Sequence, residues 1–387
     1  MKERESKTKT PKIAAGGSEY NSQLLYFTST SLSAKDDMLF FISDKNGNPN
    51  IYCKDLKSGK EKILTDNQEG YLKSYVYFDG NPYVGLGKAS ICLDPYRLII
   101  YYIQGKEIRK VGIDGKIKTL AYLPDDQVTA FTHVSSDGKR LCVPTTDARA
   151  LDFDRTKYKK PPYDIDQRVV EENLNSYLRV YDTQTGKELI CEKVNKAWIT
   201  HVQFHPLDSG IILYNHEWPY KDRGLRRMWL FNGKEHIRLR NEAPGRGRDD
   251  WAVHEMWSEK GDYIIYHGSY IDGPAYVGRV DMSDLSLIEI ALPDSFKEYG
   301  HFTISTNNEL VSDGYYHDGN AISPAEFISV QLVDWNNRSI DWIPICKHQS
   351  SWKSQDAHPH PIFSHKDDKI YFTSDVSGTL KVYEVER

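Results

Sequence analysis

The sequence has no long apolar run, no closely spaced pair of cysteines and no excess of basic residues. Its most apolar stretch, Leu98–Ile103, has the length of a strand, whereas a membrane helix needs about 20 apolar residues. The chain holds 50 Lys and Arg against 55 Asp and Glu, a net charge of −5, and a dedicated nucleic-acid binder usually carries a basic excess. These absences argue against a membrane protein and against a nucleic-acid partner.

Two further absences concern the compartment. The charged segment Met1–Thr10 is not followed by an apolar region, so no secretory signal is visible and a cytoplasmic location is expected. A periplasmic location stays open if a signal has been removed. The five cysteines are odd in number and widely spaced, without a C-x-x-C motif, which predicts reduced, buried thiols rather than disulfides or a zinc site.

No long stretch of the sequence shows the 3.6-residue period of a helix. Short runs of β-forming residues recur instead between clusters of turn-forming residues. Aromatic residues make up 12% of the chain, with 26 Tyr and 8 Trp, and this composition is typical of strands. A unit of four strands separated by Asp-, Gly-, Lys- or Asn-rich turns repeats along the chain. We therefore predict an all-β fold, a seven-bladed β-propeller with four-stranded antiparallel blades.

The predicted propeller is a single domain over residues 1–387. Its blades are expected at about residues 27–66, 88–123, 130–192, 201–240, 254–293, 301–344 and 358–387. Residues 147–175 are interpreted as a loop insertion at one end of the propeller. The last unit stops without an outer strand, so we predict that a strand from about the first 20 residues pairs with it and closes the ring.

The placement of the histidines is the most informative feature for function. Of 13 histidines, only His133 precedes residue 200. Five occur at the start of the first strand of successive repeats, a position that faces the central channel of a propeller, so their rings are expected to meet at one mouth of the channel. A structural role within its own blade is the alternative for each one taken singly. The five are His133, His201, His254, His301 and His358.

The densest cluster is the segment from Gln355 to Pro361, which reads QDAHPHP. In an extended strand His358 and His360 point the same way, and the flanking prolines disfavour a helix. With His301 from the neighbouring blade and an oxygen from Gln355 or Asp356, they form a candidate site for a divalent metal, and the residue types alone do not choose between Mn, Fe, Ni and Zn.

A basic segment follows His216 and contains Lys221, Arg223, Arg226 and Arg227. Most such residues lie on solvated loops, and one arginine is expected to bind an anionic ligand, since a guanidinium matches a carboxylate. Histidines, a metal and an arginine together indicate a negatively charged substrate.

These residues resemble a known family, the oligogalacturonate lyases, which are seven-bladed propeller enzymes of bacterial pectin breakdown. The resemblance is strongest over residues 346–375, with the signature Gln-x-x-His-Pro-His-Pro, and recurs at the segments HEMWSEKGDYIIY, GHFTISTNNELVSDG and HEWPYKDRGLRRMWLFN. It implies an Mn²⁺-type ion, with ligands at His301, Gln355, His358 and His360. It also implies His254 as the proton-abstracting base and Arg227 as a catalytic arginine.

The implied reaction is β-elimination from a short 4-linked uronate oligosaccharide, which gives a 4,5-unsaturated product. A metal ion and an arginine would stabilise the enediolate that forms when the C5 proton is removed. A neutral imidazole accepts a proton at neutral pH. Second-rank candidates for substrate binding, or for protonating the leaving oxygen, are His201, His216, Tyr266 and Arg226.

Other functions stay open at this point. A lyase acting on a glucuronate- or rhamnogalacturonan-derived oligosaccharide is the alternative within the same class. A non-catalytic propeller that resembles TolB-type binding modules is the alternative outside it. A serine hydrolase is disfavoured because the chain has no G-x-S-x-G motif, and a glycosidase is disfavoured because no pair of acids stands at the same strand positions.

Overall fold

The fold is almost entirely β. The computed structural model describes residues 8–72, 81, 83–154, 156–158, 161–217, 227–240, 251–270, 273–293, 296–298, 300–317, 322–324 and 326–387. Seven antiparallel sheets follow one another along the chain as the blades of a seven-bladed β-propeller, which confirms the predicted fold class. Contacts group the chain into two compact units, one within residues 1–47, 51–62 and 249–387 and the other within residues 48–50 and 63–248.

The strands, in chain order, belong to the following blades. An N-terminal strand β1 spans Lys12–Ala15, and the first blade contains β2 (Ser22–Leu24), β3 (Met38–Ser43), β4 (Asn50–Asp55) and β5 (Glu61–Ile63). The second blade contains β6 (Leu86–Asp94), β7 (Ile99–Gln104), β8 (Glu107–Gly112) and β9 (Ile117–Tyr122). The third contains β10 (Gln127–Thr129) and β11 (His133–Val134), which both pair with β12 (Arg140–Asp147), and then β13 (Asn175–Asp182) and β14 (Glu188–Asn195).

The later blades continue the same order. The fourth contains β15 (Val202–Phe204), β16 (Ile212–Asn215), β17 (Met228–Phe231) and β18 (His236–Arg238), and the fifth contains β19 (Trp251–Trp257), β20 (Tyr263–Ser269), β21 (Ala275–Asp281) and β22 (Leu287–Ala291). A small sheet is formed by β23 (Phe296–Glu298), β26 (Tyr315–His317) and β27 (Ile322–Pro324). The sixth blade contains β24 (Phe302–Ile304), β25 (Leu310–Ser312), β28 (Phe327–Asp334) and β29 (Ser339–Lys347), and the seventh contains β30 (Ile362–Phe363), β31 (Lys369–Ser374) and β32 (Lys381–Glu386).

The seventh blade takes its fourth strand from the N-terminus. Strand β1 pairs antiparallel with β32, with Lys12 opposite Glu384 and Ile13 opposite Tyr383. The pairing covers the edge that β32 would otherwise leave open. The predicted N-terminal contribution to the last blade is therefore confirmed.

Burial changes from the inner to the outer strands of a blade. Strand β3 is buried at five consecutive positions, and its Leu39 and Phe41 pack in one apolar cluster with Tyr371 and Val382 of the seventh blade. Strand β14, at the outer edge of the third blade, alternates between exposed and more buried residues, as expected for a strand with one solvated face. All five cysteines are free thiols. Cys53, Cys92, Cys142 and Cys346 are buried, as predicted, whereas Cys191 is exposed, so the prediction of a buried thiol is wrong at this position.

The insertion at residues 147–175 contains a short 3-10 turn, Ala148–Leu151, and the helix α1, Ile165–Glu171. Ile165 and Val169 of this helix pack into an apolar cluster with Val128 and Trp198. The helix was not predicted, since seven residues are too few to show a helical period clearly. Among the described residues no helix is long and apolar enough to cross a membrane.

Candidate active site

Three histidines lie together where the sixth and seventh blades begin. His301 directly precedes β24, and His358 and His360 precede β30. One ring nitrogen from each histidine lies within 4.8 Å of the others. The centroid of the His301 ring is 4.1 Å from that of His360 and 5.2 Å from that of His358. The structure thus brings together the three histidines that were predicted to bind a metal.

A buried carboxylate, Asp313, holds two of these histidines. Its Oδ1 accepts a hydrogen bond from the backbone N–H of His301 at 2.8 Å, and its Oδ2 accepts one from the backbone N–H of His360 at 3.0 Å. Nδ1 of His301 lies 3.3 Å from both oxygens. Burial opposes ionisation of Asp313, but the charge and hydrogen bond of His301 outweigh it and lower the pKa of Asp313. A carboxylate that accepts from Nδ1 leaves Nε2 of His301 as the metal-binding nitrogen.

The third histidine also has the form that a metal requires. Nδ1 of His358 is buried and has no hydrogen-bond partner among the described residues. Burial, assisted by the charge of His301, lowers the pKa of His358 to about 4, so its ring is neutral at neutral pH. Because metal ions bind the neutral imidazole, the cluster of His301, His358 and His360 fits a divalent metal ion.

The fourth predicted ligand, Gln355, begins a 3-10 turn over Gln355–Ala357, and its side chain is exposed. Its carbonyl oxygen accepts a hydrogen bond from the backbone N–H of His358 at 3.3 Å. The turn therefore links Gln355 to the cluster through the backbone. The role of its side-chain amide as a ligand stays a prediction.

His254, the predicted base, lies next to this cluster. Its ring centroid is 4.5 Å from that of His301. It occupies a β-bulge between Val253 and Met256, where the pairing of β19 with β20 shifts register, and its φ is +55°. A left-handed backbone at a non-glycine residue costs about 1–3 kcal/mol, and bulges re-aim side chains. The backbone is thus held in an unfavourable conformation that places the half-buried His254 ring beside His301.

Aromatic rings form one wall of the site. The ring of Phe27, which is 3% exposed, lies with its centroid 5.4 Å from those of His301 and His360 and 5.6 Å from that of His254. Trp352 lies 4.4 Å from His358 by the same measure. These rings shield the histidines from water on one side, and an electrostatic interaction is stronger where water is excluded.

A second polar cluster lies in the other unit, within the fourth blade and the residues around it. Arg227 is 2% exposed, and its Nη1 lies 3.6 Å from Oε2 of Glu217 and donates to the Glu217 backbone carbonyl. Asn215 donates to the same carboxylate at 2.9 Å. Burial opposes ionisation of Glu217, but the charge of Arg227 and the hydrogen bond of His201 outweigh it and lower the pKa of Glu217. Arg227 is therefore held by an ion pair, and its catalytic role stays a prediction.

His201 belongs to the same cluster. Its Nδ1 lies 2.7 Å from the hydroxyl of Thr200 and 3.4 Å from Oε2 of Glu217. Its ring stacks on Phe131 with a centroid separation of 4.6 Å. His133, in the third blade, contacts the fourth blade instead, since its Nδ1 accepts the backbone N–H of Phe204 at 3.2 Å.

The other predicted substrate-binding residues differ in their outcome. His216 is 6% exposed, and burial lowers its pKa to about 4, so it is a neutral buried ring. Arg226 lies outside the described residues. Tyr266 is fully buried, and its hydroxyl donates to Glu289 at 2.7 Å.

Strand register explains the position of the Tyr266 ring, and its role in substrate binding stays a prediction. Tyr266 on β20 stands opposite Gly278 on β21, which stands opposite Glu289 on β22. A Cβ at Gly278 would lie 2.6 Å from the Tyr266 ring, so the glycine makes room for this ring to cross the sheet. The hydroxyl consequently points to the outer strand of its own blade and serves the packing of that blade.

Sequence reasoning missed Asp313, Glu217 and His267. Asp313 comes directly after β25, and its role depends on pairing between β24 and β25, which sets Phe302 opposite Ser312. His267 lies inside the strand β20 and not at the start of a repeat, and its Nε2 is 2.8 Å from Nδ1 of His254. The signal available for Glu217 was its position directly after His216.

The blades and the histidine cluster define a β-propeller protein with a candidate metal centre. Residues 22–386 match the oligogalacturonate lyase family, and the chain belongs to this family. It is therefore a lyase that acts on oligosaccharides, as the resemblance implied.

Individual relatives agree with this assignment. The chain is 25% identical over 382 residues to an oligogalacturonate lyase of Dickeya dadantii (strain 3937), covering 92% of this chain and 88% of the relative. It is likewise 25% identical over 378 residues to an oligogalacturonide lyase of Pectobacterium atrosepticum, with the same coverage of 92% and 88%.

Two solved structures share the fold. One is an oligogalacturonate lyase in complex with manganese, with a TM-score of 0.75 at 20% identity over 97% of this chain and 95% of that one. The other is an oligogalacturonate lyase from Vibrio parahaemolyticus, with a TM-score of 0.76 at 19% identity over 97% of this chain and 96% of that one.

Proposed function

We propose that the protein cleaves short 4-linked galacturonate oligosaccharides derived from pectin by metal-assisted β-elimination. The observation that carries this proposal is the position of His254, whose ring centroid lies 4.5 Å from that of His301 in the cluster that fits a metal. A base beside a carboxylate-binding centre is what removal of the proton next to a carboxylate requires.

The candidate ligands are His301, His358 and His360, with Gln355 added by the family resemblance. We propose Mn²⁺ as the ion, because a relative with the same fold is described in complex with manganese and because mixed imidazole and oxygen ligands suit it. When bound, the ion supplies Lewis-acid stabilisation of negative charge on the substrate carboxylate. Asp313 contributes by fixing the ring of His301 and the backbone of His360.

His254 takes the C5 proton of the uronate ring in this proposal. The C5–H bond breaks and a bond from the proton to the imidazole forms. The electron pair becomes the C4–C5 double bond, while O4 leaves with the pair of the C4–O4 bond and is protonated afterwards. A positioned general base contributes about 10²- to 10⁴-fold to the rate, and the wall formed by Phe27 keeps water from one side of the ring.

Arg227 and His201 are proposed to assist, as the resemblance and the histidine pattern predict. Arg227 would add positive charge against the anionic substrate. Both side chains are held by Glu217, so any contribution from them depends on that carboxylate.

The test is the ultraviolet absorbance of the conjugated 4,5-unsaturated product on mixing the protein with digalacturonate or trigalacturonate. We expect a rise that a chelator abolishes and that added Mn²⁺ restores. His254→Gln is expected to lose the signal. His365→Gln is the matched control, because this histidine lies in the same unit and faces the carbonyl of Leu32.

Two outcomes would contradict the proposal. New reducing ends without a rise in absorbance would indicate hydrolysis instead of elimination. Suppose that the absorbance rises with glucuronate-containing or rhamnogalacturonan fragments and stays flat with every galacturonate oligomer. The protein would then be a lyase as proposed, but its substrate would be another uronate oligosaccharide.

A further inference from the structure

A second histidine, His267, stands directly behind the candidate base. It lies on β20, where it pairs with Val253 on one side and Val277 on the other, and it is fully buried. Its Nε2 is 2.8 Å from Nδ1 of His254, a hydrogen-bonding distance. The same Nδ1 of His254 lies 3.2 Å from the backbone carbonyl oxygen of Gly300.

The carbonyl of Gly300 decides where the proton of His254 sits. A carbonyl oxygen only accepts hydrogen bonds, so Nδ1 of His254 must carry the hydrogen for this contact to be favourable. A neutral imidazole carries one N–H, and the other nitrogen of His254, Nε2, is then deprotonated. For the 2.8 Å contact to be a hydrogen bond as well, Nε2 of His267 must accept, which places the hydrogen of neutral His267 on Nδ1.

We propose that His267, together with the Gly300 carbonyl, positions His254 as its Nδ1–H tautomer and so makes Nε2 the atom that receives the substrate proton. This inference rests on the proposed function in one respect only, the role of His254 as the base. His267 is a positioning residue, because it acts through His254.

Both acceptors are held rigidly. His267 is fixed by ladder pairing on two sides, and the ring of Phe302 lies 6.2 Å from its ring by centroids. Gly300 has a φ of +89°, and a Cβ at this position would lie 2.4 Å from Cα of Gly314. The close approach of the two glycine backbones restricts the backbone at Gly300, and the ladder pairing holds the backbone that carries His267.

The arrangement also suits the protonated base. When His254 has received a proton at Nε2, its Nδ1–H still donates to the same two acceptors. Hydrogen bonds from a charged donor are roughly twice as strong as neutral ones. The two contacts therefore strengthen as the proton arrives, in the way that the carboxylate of a catalytic triad supports its histidine.

The first experiment observes the tautomer directly. Protein labelled with ¹⁵N-histidine and loaded with diamagnetic Zn²⁺ is examined by NMR, and the His254 signals are assigned from their loss in His254→Gln. We expect Nδ1 of His254 to be protonated and Nε2 to be bare. A hydrogen on Nε2 of neutral His254 would overturn the inference, whatever the enzymatic activity.

The second experiment uses two variants of His267. His267→Leu removes the acceptor and is expected to lower kcat by about 10- to 100-fold, the equivalent of one hydrogen bond to a charged group, with KM and bound metal little changed. His267→Gln presents an amide oxygen near the position of Nε2 and is expected to recover most of the loss. Equal kcat in a folded His267→Leu and the wild type would refute the positioning role.

The experiments distinguish a failure of this inference from a failure of the proposed function. If the wild type shows the expected tautomer but no lyase activity on any uronate oligosaccharide, the proposed function is wrong and the assignment of the two tautomers stands. If the wild type is an active lyase with His254 in the other tautomer, the function stands and the role of His267 is wrong. The NMR result decides the inference even if His267→Leu does not fold.

Discussion

Replacing Asp313 with asparagine tests the construction of the metal centre. Asp313 is fully buried, and each of its carboxylate oxygens accepts one backbone N–H, from His301 at 2.8 Å and from His360 at 3.0 Å. Asparagine offers one oxygen and one NH₂ group. Whichever way it is placed, an NH₂ group must face a backbone N–H that formerly had an acceptor.

The magnitude follows from this geometry. Asp313→Asn loses at least one hydrogen bond to a charged group and leaves a buried N–H unsatisfied, a cost of about 2–4 kcal/mol in the free energy of unfolding. It also weakens the bond that sets the tautomer of His301. Loss of such a supporting carboxylate typically lowers metal affinity about 10- to 100-fold. We expect both effects in the same variant.

Calorimetric titration with Mn²⁺ measures the affinity, and chemical denaturation of the metal-free protein measures the stability. The matched control is Asp367→Asn, because Asp367 is also buried and accepts the backbone N–H of Thr306 between the sixth and seventh blades. The control is expected to lose stability and keep its metal affinity. If Asp313→Asn bound Mn²⁺ with wild-type affinity, Asp313 would not support the metal ligands. If both variants lost the same affinity, the loss would be explained by general destabilisation and not by a specific role of Asp313.

Three further predictions follow from the site. His254→Gln should lower turnover by about 10²- to 10⁴-fold with metal content and melting temperature unchanged in parallel assays, and near wild-type turnover would exclude it as the base. Tyr266→Phe should keep full lyase activity but lose about 1–3 kcal/mol of unfolding free energy, because the bond to the Glu289 carboxylate is lost; a large fall in kcat would restore Tyr266 to the active site. Burial lowers the pKa of His216 to about 4 from about 6.5 in the unfolded chain. The contribution of this neutral ring to stability is therefore complete above about pH 6.5. As the pH falls below about 6.5 the unfolded state takes up a proton that the folded state excludes, and the free energy of unfolding decreases by up to about 1.4 kcal/mol per pH unit. In urea titrations at several pH values, His216→Gln should show a weaker dependence of the unfolding free energy on pH. An unchanged dependence would show that the pKa of His216 is not lowered in the folded protein.

The sequence was sufficient for the features that depend on local pattern and repeat. Alternating strands and turns predicted the blades, and the missing outer strand of the last unit predicted the pairing of β1 with β32. The phase of the histidines within the repeats predicted that His301 and His358 would meet, because equivalent positions in neighbouring blades lie at equivalent places, and the two-residue spacing from His358 added His360 to the cluster. The motif around His358 also indicated the family.

Repeat phase does not give the contacts that each side chain makes. It treated His133 as equivalent to His301, although the His133 ring accepts a backbone N–H from the fourth blade. It gave no information on Tyr266, whose hydroxyl crosses its own blade to Glu289. The direction in which a ring points depends on the register of three strands and on a glycine at Gly278, and none of these can be obtained from the spacing of repeats.

The sequence by itself therefore determined the blades, the family and the residue types of the candidate metal centre, since strand periodicity and repeat phase are properties of the linear chain. Only the tertiary structure decided which groups support the histidines of the candidate active site. Asp313 reaches His360, 47 positions later in the chain, and His267 reaches His254 across a β-bulge where the backbone takes a positive φ. These contacts join residues distant in sequence or displaced by a local shift of register, and they exist only when the strands are paired.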